Sequence, residues 1–396
     1  MANPLEQLSE AELREQRTSV KWHAFPPDVL PLGVAEQDSV LAEPVVRAVV
    51  DAMHRSDTGY VLTGQGYAEA LASFAVDRWG WSPETSTAAI VPDVMIGVTE
   101  MLRLVTEPGD TVVVNSPVYP PFYAFVRSMD RRVAESPLTP EGRIDLADLD
   151  RAFGEARSGG KRAAYLLCSP HNPTGTLHTT EELAAVAALA AQHGVRVVAD
   201  EIHAPLVYPG GTFVPYLSVA GGERGLSLMS ASKGWNLAGL KSAVALAGEE
   251  AAADLARLPE EVGHGASHVA VMAHVAAYRD GGMWLDALLE GLDANRHLLA
   301  DLVAQHLPGV GYRVPEATYL AWLDCRSLGV EDPPLEPGLV SMSVGPAALF
   351  AREAKVGLSA GTAFGTGGSG HVRLNMATSQ AILTEALERM GAAVRA

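Results

Sequence analysis

Two apolar runs with a well-capped helical segment between them constrain the fold more than any other feature of this chain. Ala163 to Cys168 reads AAYLLC and Val195 to Ala199 reads VRVVA. Each is bounded by polar or turn residues, the signature of strands buried on both faces in a parallel sheet. Between them, Thr179 and Glu182 have capping-box spacing, an Ala/Leu-rich run follows to His193, and Gly194 supplies a stop. Strand, helix and strand at this spacing predict a βαβ unit. Thr111 to Val114, after the turn Pro108-Gly109-Asp110, is a further strand candidate, as are Leu226 to Met229 and Ala243 to Ala247. The expected fold class is α/β: a large domain with a mostly parallel central sheet flanked by helices. Ligands are then expected at the carboxyl ends of the strands.

The texture changes after a long helical pattern from Trp284 to Leu307. Tyr319 to Asp324 reads as a strand, and a helix is expected around Pro346 to Ala354. A Gly-rich loop from Gly361 to Gly370 then leads into Val372-Arg373-Leu374-Asn375-Met376. This predicts a second, smaller α+β domain. The expected division is 1–50 as an N-terminal arm and part of the small domain, 51–285 as the large domain, and 286–396 as the small C-terminal domain.

Composition narrows the function. Acidic residues outnumber basic ones by 47 to 29, a net charge of −18, which argues against a nucleic-acid or anionic-membrane partner. The apolar stretch from Leu183 to Ala191 is far short of a bilayer span. The start, MANPLEQLSEAELREQ, lacks the basic and apolar regions of a secretion signal. With only Cys168 and Cys325 there is no disulfide framework and no cysteine-based zinc site. A cytoplasmic enzyme without a metal is expected.

Four features fall at the ends of predicted strands. Ser169-Pro170-His171-Asn172-Pro173-Thr174-Gly175 is a tight turn that can hold the Asn172 amide rigidly; alone, it reads equally well as an ordinary loop. Asp200 ends a buried strand, where an acid is costly without a partner; a helix cap or structural ion pair is the plainer reading. Lys233, in Ser230-Ala231-Ser232-Lys233, has an amine that could condense with a carbonyl, although most lysines are solvated. Gly97-Val98-Thr99 opens a helical stretch and suggests an anion cup of free amides. Jointly, with Lys241 eight residues after Lys233, the set matches pyridoxal 5′-phosphate. The aldehyde needs a lysine, the pyridine nitrogen a carboxylate, the ring oxygen a donor, and the phosphate amides, hydroxyls and a cation. Cys168 reads as a small buried filler.

From about Val34 to Thr378 the sequence resembles the fold-type I, class I/II aminotransferase superfamily of pyridoxal-phosphate enzymes. Several strings are similar to its bacterial cystathionine β-lyase or C–S lyase branch: Asp200-Glu201-Ile202-His203, Ser232-Lys233-Gly234-Trp235-Asn236, Glu316 to Asp324, and Val372 to Asn375. The resemblance implies that Lys233 binds the cofactor covalently and then moves protons. Asp200 would face the pyridine nitrogen, Asn172 the ring oxygen, and Tyr119 the ring face. The Val98 and Thr99 amides, Ser230, Ser232 and Lys241 would hold the phosphate. Tyr60 would reach it across a homodimer interface. Arg373 would grip the carboxylate of a small amino-acid substrate. Ala35, within Val34-Ala35-Glu36-Gln37-Asp38, would lie beside that substrate, and His203 beside the cofactor.

The sequence departs from the lyase branch at Gly33, Ser39 and Gly234-Trp235, and Lys241 stands where the superfamily often has arginine. Gly33 and Ser39 flank the expected substrate loop, so a wider or differently shaped substrate pocket is expected. The implied activity is cleavage of cystathionine or related cysteine S-conjugates to pyruvate, ammonia and a thiol. An aminotransferase on the same scaffold is the alternative, and a non-catalytic regulator a third.

Overall fold

The structure, a computed structural model, describes residues 1–333, 336–338 and 344–395. Seven strands form one sheet: β1 (Ala89–Val91), β2 (Thr111–Val114), β3 (Arg132–Glu135), β4 (Ala163–Cys168), β5 (Arg196–Asp200), β6 (Leu226–Met229) and β7 (Ala243–Ala247). Their order is β1-β7-β6-β5-β4-β2-β3. Only β7 runs against its neighbours; the remaining pairs are parallel. This is the α/β sheet that the apolar runs predict.

Alternate residues of the central strands enter two separate cores. Val112, Val114, Leu166 and Val198 pack on one face with the helices Val94–Val105 and Pro121–Ser128. Val113, Tyr165, Leu167 and Val197 pack on the other with the helices Leu146–Ala156 and Thr180–His193. A side-chain period of two with both faces covered explains why these strands read as apolar runs and not as alternations. The βαβ helix is capped as its sequence demands, with both Thr179–Glu182 bonds made and Gly194 left-handed at φ 66°.

The long helix spans Gly282–His306. Beyond it, Ser359–Ala360, His371–Asn375, Leu320–Asp324 and Gly311–Tyr312 form an antiparallel sheet in that order. The helix expected at 346–354 is an α-turn, Gly345–Leu349, continued by a π-turn, Phe350–Ala354. The chain start joins this region: Leu30–Pro31 pairs in parallel with Val356–Gly357. Among the described residues no helix is long and apolar enough to cross a membrane.

Candidate active site

A cavity lies at the carboxyl ends of β4, β5 and β6, where the strand ends deliver Asn172, Asp200 and Lys233 together. Ala35, Tyr119, His203, Ser230, Ser232 and Lys241 also line it.

The loop after β4 fixes Asn172 through Gly175, which is at φ 65° and so close to Pro315 and the Ala317 carbonyl that a Cβ would collide with both. Asn172 Oδ1 accepts from Arg373 Nη1 at 3.2 Å. Its carbonyl end is thereby committed, and its amide nitrogen remains the donor for a ligand.

Asp200 is buried at the end of β5, and its Oδ1 accepts from the Ile202 amide at 3.1 Å. Burial pushes its carboxyl up to about 6; the Ile202 bond and the Lys233 charge act against that shift. Burial pulls the Lys233 amine down to about 8, helped by the charge of Arg373. Lys233 Nζ donates to Ala35 O at 2.9 Å. Tyr119 stands edge-on to Phe122, and its phenol is pushed up to about 12 by burial. His203 is held neutral by burial and by the charges of Lys233 and Arg373.

Arg373 is buried on the second sheet. Nη2 donates to Gly33 O at 3.0 Å and to Ser359 Oγ at 3.4 Å. Its guanidinium lies 5.2 Å from the centre of the Phe364 ring, and burial pulls its pKa down to about 10. Among the described residues Arg373 Nε and His203 Nδ1 have no hydrogen-bond partner. A buried donor without a partner costs free energy until a ligand supplies one.

The free helix amides do not lie where the sequence placed them. The helix runs Val94–Val105, and Asp93 caps it by accepting from Ile96 N at 2.8 Å. The amides of Val94 and Met95, first and second in the helix, are therefore the ones without intrahelical acceptors, and both residues line the cavity. Val98 and Thr99 lie a turn further in, where their amides serve the helix, and Thr99 Oγ1 donates to Met95 O at 3.0 Å. Gly97 does not open the helix. It lets the helix touch the sheet, since a Cβ there would strike Leu228 and Val91.

Ser230 Oγ donates to Ser242 O at 2.9 Å and accepts from Ser232 N at 3.2 Å. Lys241 Nζ meets Asp93 Oδ2 at 3.0 Å. Ser242, missed in the sequence, is buried beside them, and its hydroxyl has no partner among the described residues.

Tyr60 is not part of this chain's cavity; its side chain is 90% exposed. Gly33, Ser39 and Trp235 are not among the residues that line the cavity. Gly33 contributes a carbonyl to Arg373, Ser39 is buried against Gln37, and Trp235 packs into the core against Phe74 and Tyr278.

An amine of lowered pKa, a buried carboxylate, an amide donor and an anion cup around one cavity are the donor set of a fold-type I pyridoxal-phosphate enzyme, and the unpartnered Ser242 hydroxyl and Arg373 Nε suit its two anions. Residues 27–390 match the family described as aminotransferase class I and II, and the chain belongs to it. A Mycobacterium leprae protein named "Putative cystathionine beta-lyase" is 59% identical over 99% of this chain and 98% of its own. Cystathionine beta-lyase PatB of Bacillus subtilis is 32% identical over 96% of this chain and 98% of its own. A Corynebacterium diphtheriae structure, described as "a putative plp-dependent beta-cystathionase", superposes with a TM-score of 0.88 at 33% identity and covers 98% of both chains.

Proposed function

We propose that this chain is a pyridoxal-phosphate-dependent C–S β-lyase acting on cystathionine or related cysteine S-conjugates. The observation that carries the reading is Lys233: a buried amine pulled down to about 8, in one cavity with Asp200 and Asn172. The names of full-length relatives favour lyase over transaminase.

When bound, pyridoxal phosphate supplies an aldehyde for amines and a ring that withdraws electrons from the substrate Cα. Lys233 would bond to that aldehyde, and its amine, pulled down to about 8, would serve as the base for the substrate Cα proton. Asp200 would keep a proton on the ring nitrogen, and Asn172 would donate to the ring oxygen. Tyr119 and His203 would stand beside the ring. Val94, Met95, Ser230, Ser232, Ser242 and Lys241 would hold the phosphate. Arg373 would bind the substrate carboxylate, beside Ala35, and so orient the Cα–H bond. With cystathionine and one water, the balanced products are homocysteine, pyruvate and ammonia.

The working unit is a cytoplasmic homodimer in which Tyr60 reaches the neighbour's phosphate. The exposure of Tyr60 and Leu62, and of Val46, Val50 and Met53 on the helix Glu43–His54, supports an apolar partner face. Functionally the chain divides into 1–50, 51–285 and 286–396. The two sheets support this division, and the pairing of Leu30–Pro31 with Val356–Gly357 supports assigning the chain start to the small domain.

The test is to incubate pure protein with cystathionine and pyridoxal phosphate and to follow pyruvate and free thiol. Their absence, together with amino transfer that depends on an added keto acid, would establish the aminotransferase alternative.

A further inference from the structure

The segment between β6 and β7 carries Ser230, Ser232, Lys233 and Lys241. Its two ends are tied together from behind, by residues outside the cavity. Tyr67, on the helix Gln65–Trp79, and His274, on the helix His268–Asp280, are fully buried. Tyr67 Oη lies 2.6 Å from His274 Nδ1, and His274 Nε2 lies 2.9 Å from Leu240 O.

A carbonyl only accepts, so Nε2 carries the ring proton and Nδ1 offers a lone pair. The Tyr67 hydroxyl therefore donates to Nδ1. Its oxygen accepts from the Ala231 amide at 3.4 Å. Burial pulls His274 down to about 4 and pushes the Tyr67 phenol up, so both are neutral near pH 7. The result is a directed chain from Ala231 N–H through Tyr67 and His274 to Leu240 O. Beside it, Ser230 Oγ donates to Ser242 O, joining the same two ends. Neither Tyr67 nor His274 lines the cavity, whereas Ser230, Leu240 and Ser242 do.

We infer that Tyr67 and His274 are positioning residues that set the width of the phosphate cup. They do so by fixing Ala231, next to Ser230 and Ser232, relative to Leu240, next to Lys241 and Ser242. This rests on the reading that the cavity takes pyridoxal phosphate. Removing the Tyr67 hydroxyl leaves the buried Ala231 amide without its partner and His274 Nδ1 with only Ser230 Oγ, 3.5 Å away, and movement of the 230–242 segment relieves both. Asn172, in the loop after β4, and Asp200, on β5, are outside that tie, and Lys233, although within the segment, is held separately by Gln37 Nε2, which donates to its carbonyl at 2.6 Å, and by its own bond to Ala35 O. The effect therefore falls on the phosphate more than on the ring.

The experiment compares two ligands. Ligand-free wild type, Tyr67→Phe, His274→Ala and His274→Gln are titrated with pyridoxal phosphate and, separately, with pyridoxal, which lacks the phosphate. Binding is read by absorbance and by tryptophan fluorescence. Tyr67→Phe and His274→Ala are expected to weaken pyridoxal phosphate about tenfold and pyridoxal less than about twofold, the scale of one buried hydrogen bond. His274→Gln, whose amide nitrogen can still reach Leu240 O, is expected between His274→Ala and wild type. Equal weakening of both ligands would mean a general loosening of the fold and would overturn the inference, as would unchanged affinity for both. If Tyr67→Phe does not fold, the two His274 variants decide the matter. Wild type that binds neither ligand would refute the cofactor reading itself.

Discussion

Lys233 and Tyr319 donate to the same acceptor: Nζ reaches Ala35 O at 2.9 Å and Oη reaches it at 3.0 Å. The lysine is thus held by a carbonyl that has a second partner, and removing its amine leaves no buried acceptor empty.

Lys233→Met is therefore expected to stabilise the ligand-free protein at pH 7 while abolishing turnover. The folded-state pKa of Lys233 lies below its unfolded value, so charging it opposes folding. The cost is fully present below about 8 and disappears as pH rises towards about 10.5. Denaturant unfolding should give the variant an advantage on the order of 2 kcal/mol at pH 7, closing above pH 10. A variant less stable than wild type at pH 7 would count against the assigned environment.

Asp200→Asn carries the opposite dependence. Burial raises the Asp200 pKa from 3.8 to about 6, so the fold is favoured below 3.8 and loses that contribution as pH rises through 6. The ligand-free variant should match wild type near pH 4 and exceed it at pH 7 in thermal unfolding. With pyridoxal phosphate bound, its kcat should fall by about 10²-fold or more, since no carboxylate remains to hold the ring proton.

Arg373→Lys keeps the charge but not the fork. Gly33 O, Ser359 Oγ and Asn172 Oδ1 each accept from the guanidinium, and one ammonium cannot serve all three and a carboxylate as well. Steady-state kinetics should show kcat/KM lower by about 10- to 100-fold, mostly through KM. An unchanged KM would remove Arg373 from the substrate site.

Tyr60→Ala and Lys233→Ala should complement each other. In a mixed dimer one site has both native residues, so equal mixing of the two inactive proteins should recover about a quarter of wild-type activity. No recovery after verified subunit exchange would place Tyr60 outside the neighbouring site.

Much of this molecule is legible in its sequence, for a physical reason. β4 and β7 match their apolar runs end to end because both faces of the sheet are covered, and the Thr179–Glu182 cap is a local hydrogen-bond pattern. Asn172, Asp200 and Lys233 are readable because each directly follows or ends such a strand. Gly97-Val98-Thr99 looks like a helix start, whereas the start is set by the Asp93 carboxylate, so the free amides are those of Val94 and Met95. An aspartate directly after Pro92 was the available signal. The Tyr67–His274 pair joins two helices across 207 positions, and no periodicity within either helix reports it.

The loop that supplies Gly33 O and Ala35 O reaches partners 340 and 198 residues downstream. Two carbonyls of one short loop thus join the guanidinium on the second sheet to the lysine that follows the first. The site exists only where both sheets are formed and docked, so a partly folded chain with its seven-stranded sheet alone lacks these contacts.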